Sequence, residues 1–294
     1  MSQAEGPAAD RLAFTTQGGA RCPVCGALAR AAIDLGDYQL FECRSCGSWS
    51  SDALARGAST SFDPAAYFAH ADDDRERWDD LVRRTRMDDE PSPRLLDVGC
   101  GRGNFLRYLR ERHPRAERFG IELDPGRAAE ARSADPDACV TTGDAAMALA
   151  TLPGSFDLVT LWDVFEHLAD PQAVLRSLSA RLAPSGVVFL QTIHEHSLVP
   201  TLGRVVYTVS GGRLTGPARR THEPHHLVFF SRAGLQQLAD GAGLRIRSLW
   251  FDRLSRARMD GPRILTAATA AALAVENALG RGLFVNLLLE RASG

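Results

Sequence analysis

The segment Leu95-Leu96-Asp97-Val98-Gly99-Cys100-Gly101-Arg102-Gly103-Asn104 constrains this chain of 294 residues more than any other stretch. A buried-strand pattern runs directly into three alternating glycines, and a helical run follows from Asn104 to Glu111. Glycines at 99, 101 and 103 let the backbone turn through dihedrals closed to other residues and approach a ligand closely. The helix start behind them offers free N–H groups to a carboxylate or phosphate. The spacing is G-x-G-x-G, not the G-x-G-x-x-G of a dinucleotide fingerprint. Asp97, two residues before the first glycine, is placed to meet a cationic amino group. About 20 residues further on, Phe119-Gly120-Ile121-Glu122 reads as a second strand ending in an acid, placed to accept hydrogen bonds from a ribose diol.

After Pro91 and Pro93 the pattern alternates strand and helix. Candidate strands are Arg94–Val98, Arg118–Ile121, Ala138–Thr141, Phe156–Leu161 and Val187–Gln191, with helices beginning near Asn104, Pro125, Asp144 and Pro171. This is doubly wound α/β order, in which ligands sit beyond the carboxyl ends of the strands. Leu244–Phe251 and Leu283–Glu290 complete a seven-stranded sheet, with an Ala-rich helix, Leu265–Leu279, between them.

The ordered series of glycines and acids resembles the class I S-adenosylmethionine-dependent methyltransferases over residues 91–290. The resemblance implies a Rossmann-like, mostly parallel sheet whose last strand is antiparallel, and S-adenosyl-L-methionine as cofactor. It also implies that Asp97, Gly99 and Gly101 surround the methionine moiety and that Glu122, followed by Leu123, holds the ribose hydroxyls. Gly143-Asp144 then contributes an acid near the adenine amino group. Phe156 to Leu168 is similar to the fourth strand and post-strand motif of that family, so that Trp162, Asp163 and His167 flank the cofactor. Tyr67, in the preceding linker, is a further candidate for cofactor contact.

Cys22-Pro23-Val24-Cys25-Gly26 and Cys43-Arg44-Ser45-Cys46-Gly47 form two C-x-x-C-G turns, with 17 residues between Cys25 and Cys43. Such turns each aim two sulfurs inward and match a tetrahedral structural Zn2+ site on Cys22, Cys25, Cys43 and Cys46. Disulfides are the alternative, disfavoured in a cytoplasmic setting. The metal substitutes for the core that so short a ribbon cannot build. Tyr38, Leu40 and Phe41 are candidates for packing in the hairpin between the turns. Cys139 is expected in a buried strand. The resulting division is a flexible tail at 1–20, a zinc ribbon at 21–50, a linker and helical cover over the cofactor site at 51–90, and a methyltransferase domain at 91–294. In the linker, Trp78, Leu81 and Val82 fall on one helix face. Within the last domain an irregular substrate-binding insertion spans about 192–230, because it departs from the compact βα rhythm.

Composition narrows the function classes. A formal charge of −2 gives no global field toward nucleic acid, so no nucleic-acid partner is expected. Every basic residue apart from histidine is Arg and none is Lys, which excludes lysine Schiff-base chemistry. No run of 18 apolar residues and no signal-like start occur, so no membrane partner is expected and cytoplasmic residence is the default expectation. Oligomeric state is left open.

The insertion is rich in imidazole: His194, His196, His222, His225 and His226 are five of the chain's 8 histidines, with Glu195 and Glu223 among them. A neutral histidine takes a proton as a methyl group leaves sulfur, which makes His225, His226, His194 and His196 the candidate bases, with Glu223 assisting. A metal held by these groups is the alternative, although their spacing is not a tight ligand signature. Glu223 to Ser231 also resembles the His-Leu-x-x-Phe-Ser segment of a small-molecule branch, with His226 as the motif histidine. The ribbon-plus-domain pairing is similar to sugar C-methyltransferases of natural-product or surface-glycan pathways. The expected function is therefore O- or C-methylation of a small natural-product or sugar intermediate. Two rivals are a zinc-ribbon ribosomal RNA base methyltransferase and a non-catalytic cofactor-binding partner protein.

Overall fold

Period-two alternation of large apolar residues, with both phases apolar, dictates a sheet covered on both faces. In the computed structural model, which describes residues 14–15, 19–58, 71–252, 263–279 and 282–292, that sheet has seven strands. They are β6 (Arg94–Val98), β7 (Glu117–Glu122), β8 (Cys139–Thr142), β9 (Phe156–Trp162), β10 (Leu182–Ile193), β12 (Leu244–Asp252) and β13 (Phe284–Arg291). Their order is β12-β13-β10-β9-β6-β7-β8. Only β13 runs antiparallel to its neighbours, as the resemblance implies. The chain crosses between β6 and β9 where the winding reverses, and ligands of such sheets bind beyond the carboxyl ends there.

Leu96, Val98, Val159, Leu161, Val188 and Leu287 face one helix layer. Leu95, Leu158, Val187, Phe189 and Leu288 face the other. The first layer contains α5 (Ala145–Thr151), α6 (Pro171–Ala180) and α9 (Arg232–Gly241). The second contains α2 (Ala71–Thr85) and α3 (Asn104–Arg112). In α2, Trp78, Leu81 and Val82 point inward together, and Trp78 packs on Phe105 and Tyr108 with ring centroids 5.5 and 5.3 Å apart. β10 starts earlier than the sequence pattern indicates. Leu182 pairs with Phe156 across a bulge, and a Cβ on Gly186 would stand 2.4 Å from the Phe156 carbonyl. Cys139 corrects an expectation: it is exposed, because β8 is an edge strand and this residue takes its outer side.

The cysteine turns belong to a second sheet, in the order β1 (Phe14–Thr15), β2 (Gly19–Arg21), β3 (Leu28–Asp34), β4 (Gln39–Glu42), β5 (Trp49–Ser51) and β11 (Val228–Phe229). A four-residue helix, α1 (Ala53–Arg56), follows β5. Tyr38, Leu40 and Phe41 are buried, as expected of the hairpin. β11 comes from nearly 180 residues further along the chain and pairs antiparallel with β5, Val228 opposite Ser50 and Phe229 opposite Trp49. Between β10 and β11 the insertion is helical, not irregular. It holds α7 (Leu198–Val209) and α8 (Gly216–Thr221), which cross where Gly203 meets Pro217 and Ala218. Pro200 and Pro217 masked these helices in the sequence, yet each sits in a first turn where no N–H partner is lost. Among the described residues the remaining α-helices are α4 (Pro125–Ala134) and α10 (Arg263–Ala278), and α10 spans the Ala-rich run. The expected tail and Tyr67 lie largely or wholly outside the described residues.

Candidate active site

β6 delivers the glycine turn to the carboxyl edge of the sheet. The Gly99 and Cys100 N–H groups both donate to the Ile121 carbonyl, at 2.7 and 3.0 Å, which locks the turn to β7. Gly99, Gly101 and Gly103 have φ of +73, +54 and +78°. Space is as restrictive as dihedral: a Cβ on Gly99 would lie 2.3 Å from Val164 Cγ2, and one on Gly103 would lie 2.9 Å from the Ala131 backbone.

Glu122, at the end of β7, is buried and accepts from the Gly101 N–H and the Asp124 N–H, each at 2.9 Å. Arg127 stands 3.5 Å from it. Asp97 is buried one strand away and accepts a 2.7 Å hydrogen bond from Thr160 Oγ1. Burial pushes its carboxyl up to about 7, against the lowering effect of Thr160, and the charge of Glu122 adds to the rise. Leu123, just after β7, and Met147, in the first turn of α5, leave 69% and 73% of their surfaces exposed. Gly143 donates to the Glu122 carbonyl, and Asp144 caps α5 by accepting from the Ala146 and Met147 N–H groups. These residues fit S-adenosyl-L-methionine. Glu122 has carboxylate acceptors at the carboxyl end of β7, and among the described residues no cation pairs with Asp97.

Beyond β9, Trp162 packs on Phe189 at 4.4 Å between centroids, and Asp163 holds a left-handed φ of +50°, uncommon for a side-chain-bearing residue. Glu166 turns inward: it is buried, accepts from Thr192 Oγ1 at 2.9 Å, and burial pushes its carboxyl up to about 8. Beside these lies a cavity of about 190 Å³, lined among the described residues by Arg77, Trp162, Phe189, Trp250, Asp252 and Asn286. Trp162 Nε1 and Asn286 Nδ2 are buried there without hydrogen-bond partners. Arg77 crosses from α2 to Asp252 and Gln191.

The five histidines of the insertion do not form one cluster. His222 is buried against Glu195, at 3.1–3.2 Å, and Glu195 also binds Arg204. His196 Nε2 donates to the Gly47 carbonyl at 3.1 Å, which ties it to the second cysteine turn. His194 lies at the exit of β10 with its ring 5.3 Å from Phe251. Only His225 and His226 reach the turn after β9, where they meet His167: centroids are 5.3 and 4.9 Å from the His167 ring and 4.2 Å from each other. His167 Nδ1 lies 2.8 Å from the His225 carbonyl, and His225 Nε2 lies 3.2 Å from Glu223. Burial lowers all three imidazoles below the usual range, His225 to about 4, and the other rings of the cluster lower His225 and His226 further. They are therefore neutral at physiological pH.

In the ribbon, Cys22 and Cys46 sulfurs stand 3.6 Å apart and those of Cys25 and Cys43 3.5 Å apart. All four lie within 4.8 Å of one another. Four sulfurs about 2.3 Å from a tetrahedral ion lie about 3.8 Å apart, whereas a disulfide requires about 2.05 Å. The donor set fits Zn2+, which would be held by Cys22, Cys25, Cys43 and Cys46. No helix among the described residues is long and apolar enough to cross a membrane.

Residues 68–249 match a family model described as a methyltransferase domain. The chain is 29% identical over 161 residues to a ubiquinone biosynthesis O-methyltransferase of Chromobacterium violaceum, covering 53% of this chain and 66% of that one. It is 32% identical over 149 residues to the protein of that name from Ralstonia nicotianae, covering 49% and 63%. The chain thus spans just under two thirds of the length of these relatives. The structure of the magnesium protoporphyrin IX methyltransferase of Synechocystis PCC 6803, with bound S-adenosylhomocysteine, superposes with a TM-score of 0.50 at 16% identity. It covers 82% of this chain and 94% of that one, which is a likeness of fold.

Proposed function

Because this chain belongs to the methyltransferase-domain family, we propose that it transfers the methyl group of S-adenosylmethionine to a hydroxyl oxygen of a small molecule. The observation that carries this reading is the grouping, on one edge of the sheet, of the Gly99–Gly103 turn, Glu122 and Asp97 with a neutral histidine cluster and an aromatic-lined cavity. When bound, the cofactor supplies an electrophilic methyl carbon on a sulfonium.

The residues of the chain do the rest. Glu122 holds the ribose, and Asp97, ionising as it meets the methionine ammonium, fixes the other end. The glycine turn admits both because no Cβ intervenes. The cavity, lined by Trp162, Phe189 and Trp250, takes the flat body of the acceptor. Transfer needs oxygen, methyl carbon and sulfur in line and shielded from water. The hydroxyl proton goes to the His167, His225, His226 cluster. His196, engaged by Gly47, and His194, beside Phe251, are not part of that cluster. Oxygen as acceptor atom is supported by the relatives named for O-methylation, and no relative reported above supports a sugar or RNA substrate.

The test is transfer of labelled methyl from S-adenosylmethionine, by the purified chain, into a lysate of the source cells separated into small molecules and RNA. Label in an alkali-stable small-molecule ether is the expected result. Label confined to RNA, or none despite measured cofactor binding, overturns the reading.

A further inference from the structure

We infer that His167, His225 and His226 form a site for a divalent transition-metal ion of the zinc type, at the rim of the cofactor cleft and separate from the cysteine ribbon. One nitrogen from each ring lies within 4.8 Å of the others. The rings come from two segments nearly 60 residues apart that the fold clamps together: the turn Phe165–His167 after β9 and the loop before β11. The Leu227 N–H donates to the Glu166 carbonyl at 2.8 Å and holds the two backbones in contact beside the rings.

What separates this arrangement from a general base is the treatment of the outer nitrogens. His167 Nδ1 faces a carbonyl, an acceptor only, so it carries the hydrogen and leaves the lone pair on Nε2. His225 Nε2 faces the Glu223 carboxylate, so it is the protonated nitrogen and the lone pair lies on Nδ1. His226 Nδ1 is buried with no hydrogen-bond partner. A carbonyl and a carboxylate that fix the tautomer and leave the lone pair on the opposite nitrogen are the outer-shell partners of metal-bound histidines. A base needs one such ring; here three converge. An ion about 2.1 Å from each nitrogen draws them to about 3.4 Å of one another.

Three imidazoles without a carboxylate suit zinc, cobalt or nickel and not magnesium or calcium. Glu166, next in sequence to His167, is not a ligand, because its carboxylate is turned into the core against Thr192. His225 and His226 are partly exposed, which gives the ion an entry route.

Three protein ligands leave a fourth position open, the arrangement of catalytic rather than structural zinc. This part rests on the O-methylation reading above. With an ion held there the three rings would be ligands and no longer the base named above: the acceptor hydroxyl would take the open position and, its pKa lowered toward neutrality by the cation, would release its proton to solvent. As the O–CH3 bond forms, the C–S bond breaks, and the oxyanion and sulfonium charges cancel.

The full chain is equilibrated with zinc chloride, desalted, and its zinc counted by mass spectrometry. His226→Gln and His225→Ala are each expected to hold one zinc per chain fewer than the wild type, with unchanged S-adenosylhomocysteine affinity reporting that the fold is intact. The difference is the readout, so zinc in the cysteine site cancels. Equal zinc in wild type and in a variant that still binds S-adenosylhomocysteine overturns the inference. Removing that one ion with a mild chelator is expected to slow methyl transfer at least 100-fold, and an unchanged rate overturns the catalytic role of the ion. The extra zinc bound, but no methyl transfer to any small molecule, overturns the O-methylation reading and leaves the metal site standing.

Discussion

Two buried carboxylates one strand apart have different surroundings. Glu122 receives two backbone N–H groups and has Arg127 nearby. Asp97 has Thr160 alone and titrates near 7. An unfolded aspartate titrates near 3.9. Between these values the folded chain holds a proton that the unfolded chain has lost, so stability falls as pH rises through that window. Asp97→Asn removes the cost while keeping an acceptor for Thr160. It is expected to raise the ligand-free melting temperature at pH 8 by about 3–6 °C and to leave it almost unchanged at pH 4. Calorimetry at the two pH values checks this, and a melting temperature lowered at pH 8 would show that Asp97 is stabilised by partners other than those seen. The same substitution weakens cofactor binding, because the ammonium loses its counter-charge. Glu122→Ala is expected to weaken cofactor binding by about 1–3 kcal/mol, the value of charge-assisted hydrogen bonds. Titration calorimetry measures it, and an unchanged dissociation constant refutes the ribose assignment.

Among the elements, the turn from β6 into α3 is the most constrained, since Gly99 is restricted by dihedral and by the neighbouring turn through Val164 at once. Gly99→Ala is expected to cost about 2–4 kcal/mol, of which about 1–2 kcal/mol is left-handed backbone strain. Adding Val164→Ala relieves the clash but not the strain, so denaturant melts of the double variant should recover only part of the loss. Full recovery would mean that the dihedral is not restrictive, and no recovery that Val164 is not the obstacle. This turn was legible in the sequence because strand, glycines and helix are contiguous, and so were the seven strands, whose alternation is local. The pairing of His167 with His225 and His226 was not. His167 was read as a cofactor neighbour and the other two as bases, because only the clamp between Leu227 and Glu166 brings them together. Nor could the sequence separate His222 from its neighbours. Its partner Glu195 lies 27 residues away, and nothing local distinguishes a buried ion-paired imidazole from an open one.

For the molecule as a whole, the cysteine ribbon is part of the main core. Cys22, Val24, Phe41, Cys43 and Cys46 pack in one continuous cluster with Leu227, Val228, Phe230 and Leu235. The second cysteine turn is held from the far side: Ser231, the N-cap of α9, donates its hydroxyl to the Cys46 carbonyl and its N–H to Ser48 Oγ, while His196 donates to Gly47. β11 begins two residues after His226 and completes the ribbon sheet beside β5. A metal at the four cysteines therefore fixes not only the ribbon but also the strand that follows His225 and His226. Stripping it with a thiol-specific mercurial and a chelator is expected to lower the melting temperature of the whole chain in a single transition, without detaching a small domain first. Hydrogen exchange read by mass spectrometry should then show lost protection at residues 225–231 and in the first turn of α9, as well as at 22–46. Loss confined to 19–51, with 225–231 and the main melting transition unmoved, would mean that the ribbon is an independent appendage and that the shared core does not couple the two sites. The packing argues against that outcome. A Cβ on Gly234, in the first turn of α9, would stand 2.3 Å from Ser48 Oγ, so helix and cysteine turn touch at a distance that leaves neither free to move alone.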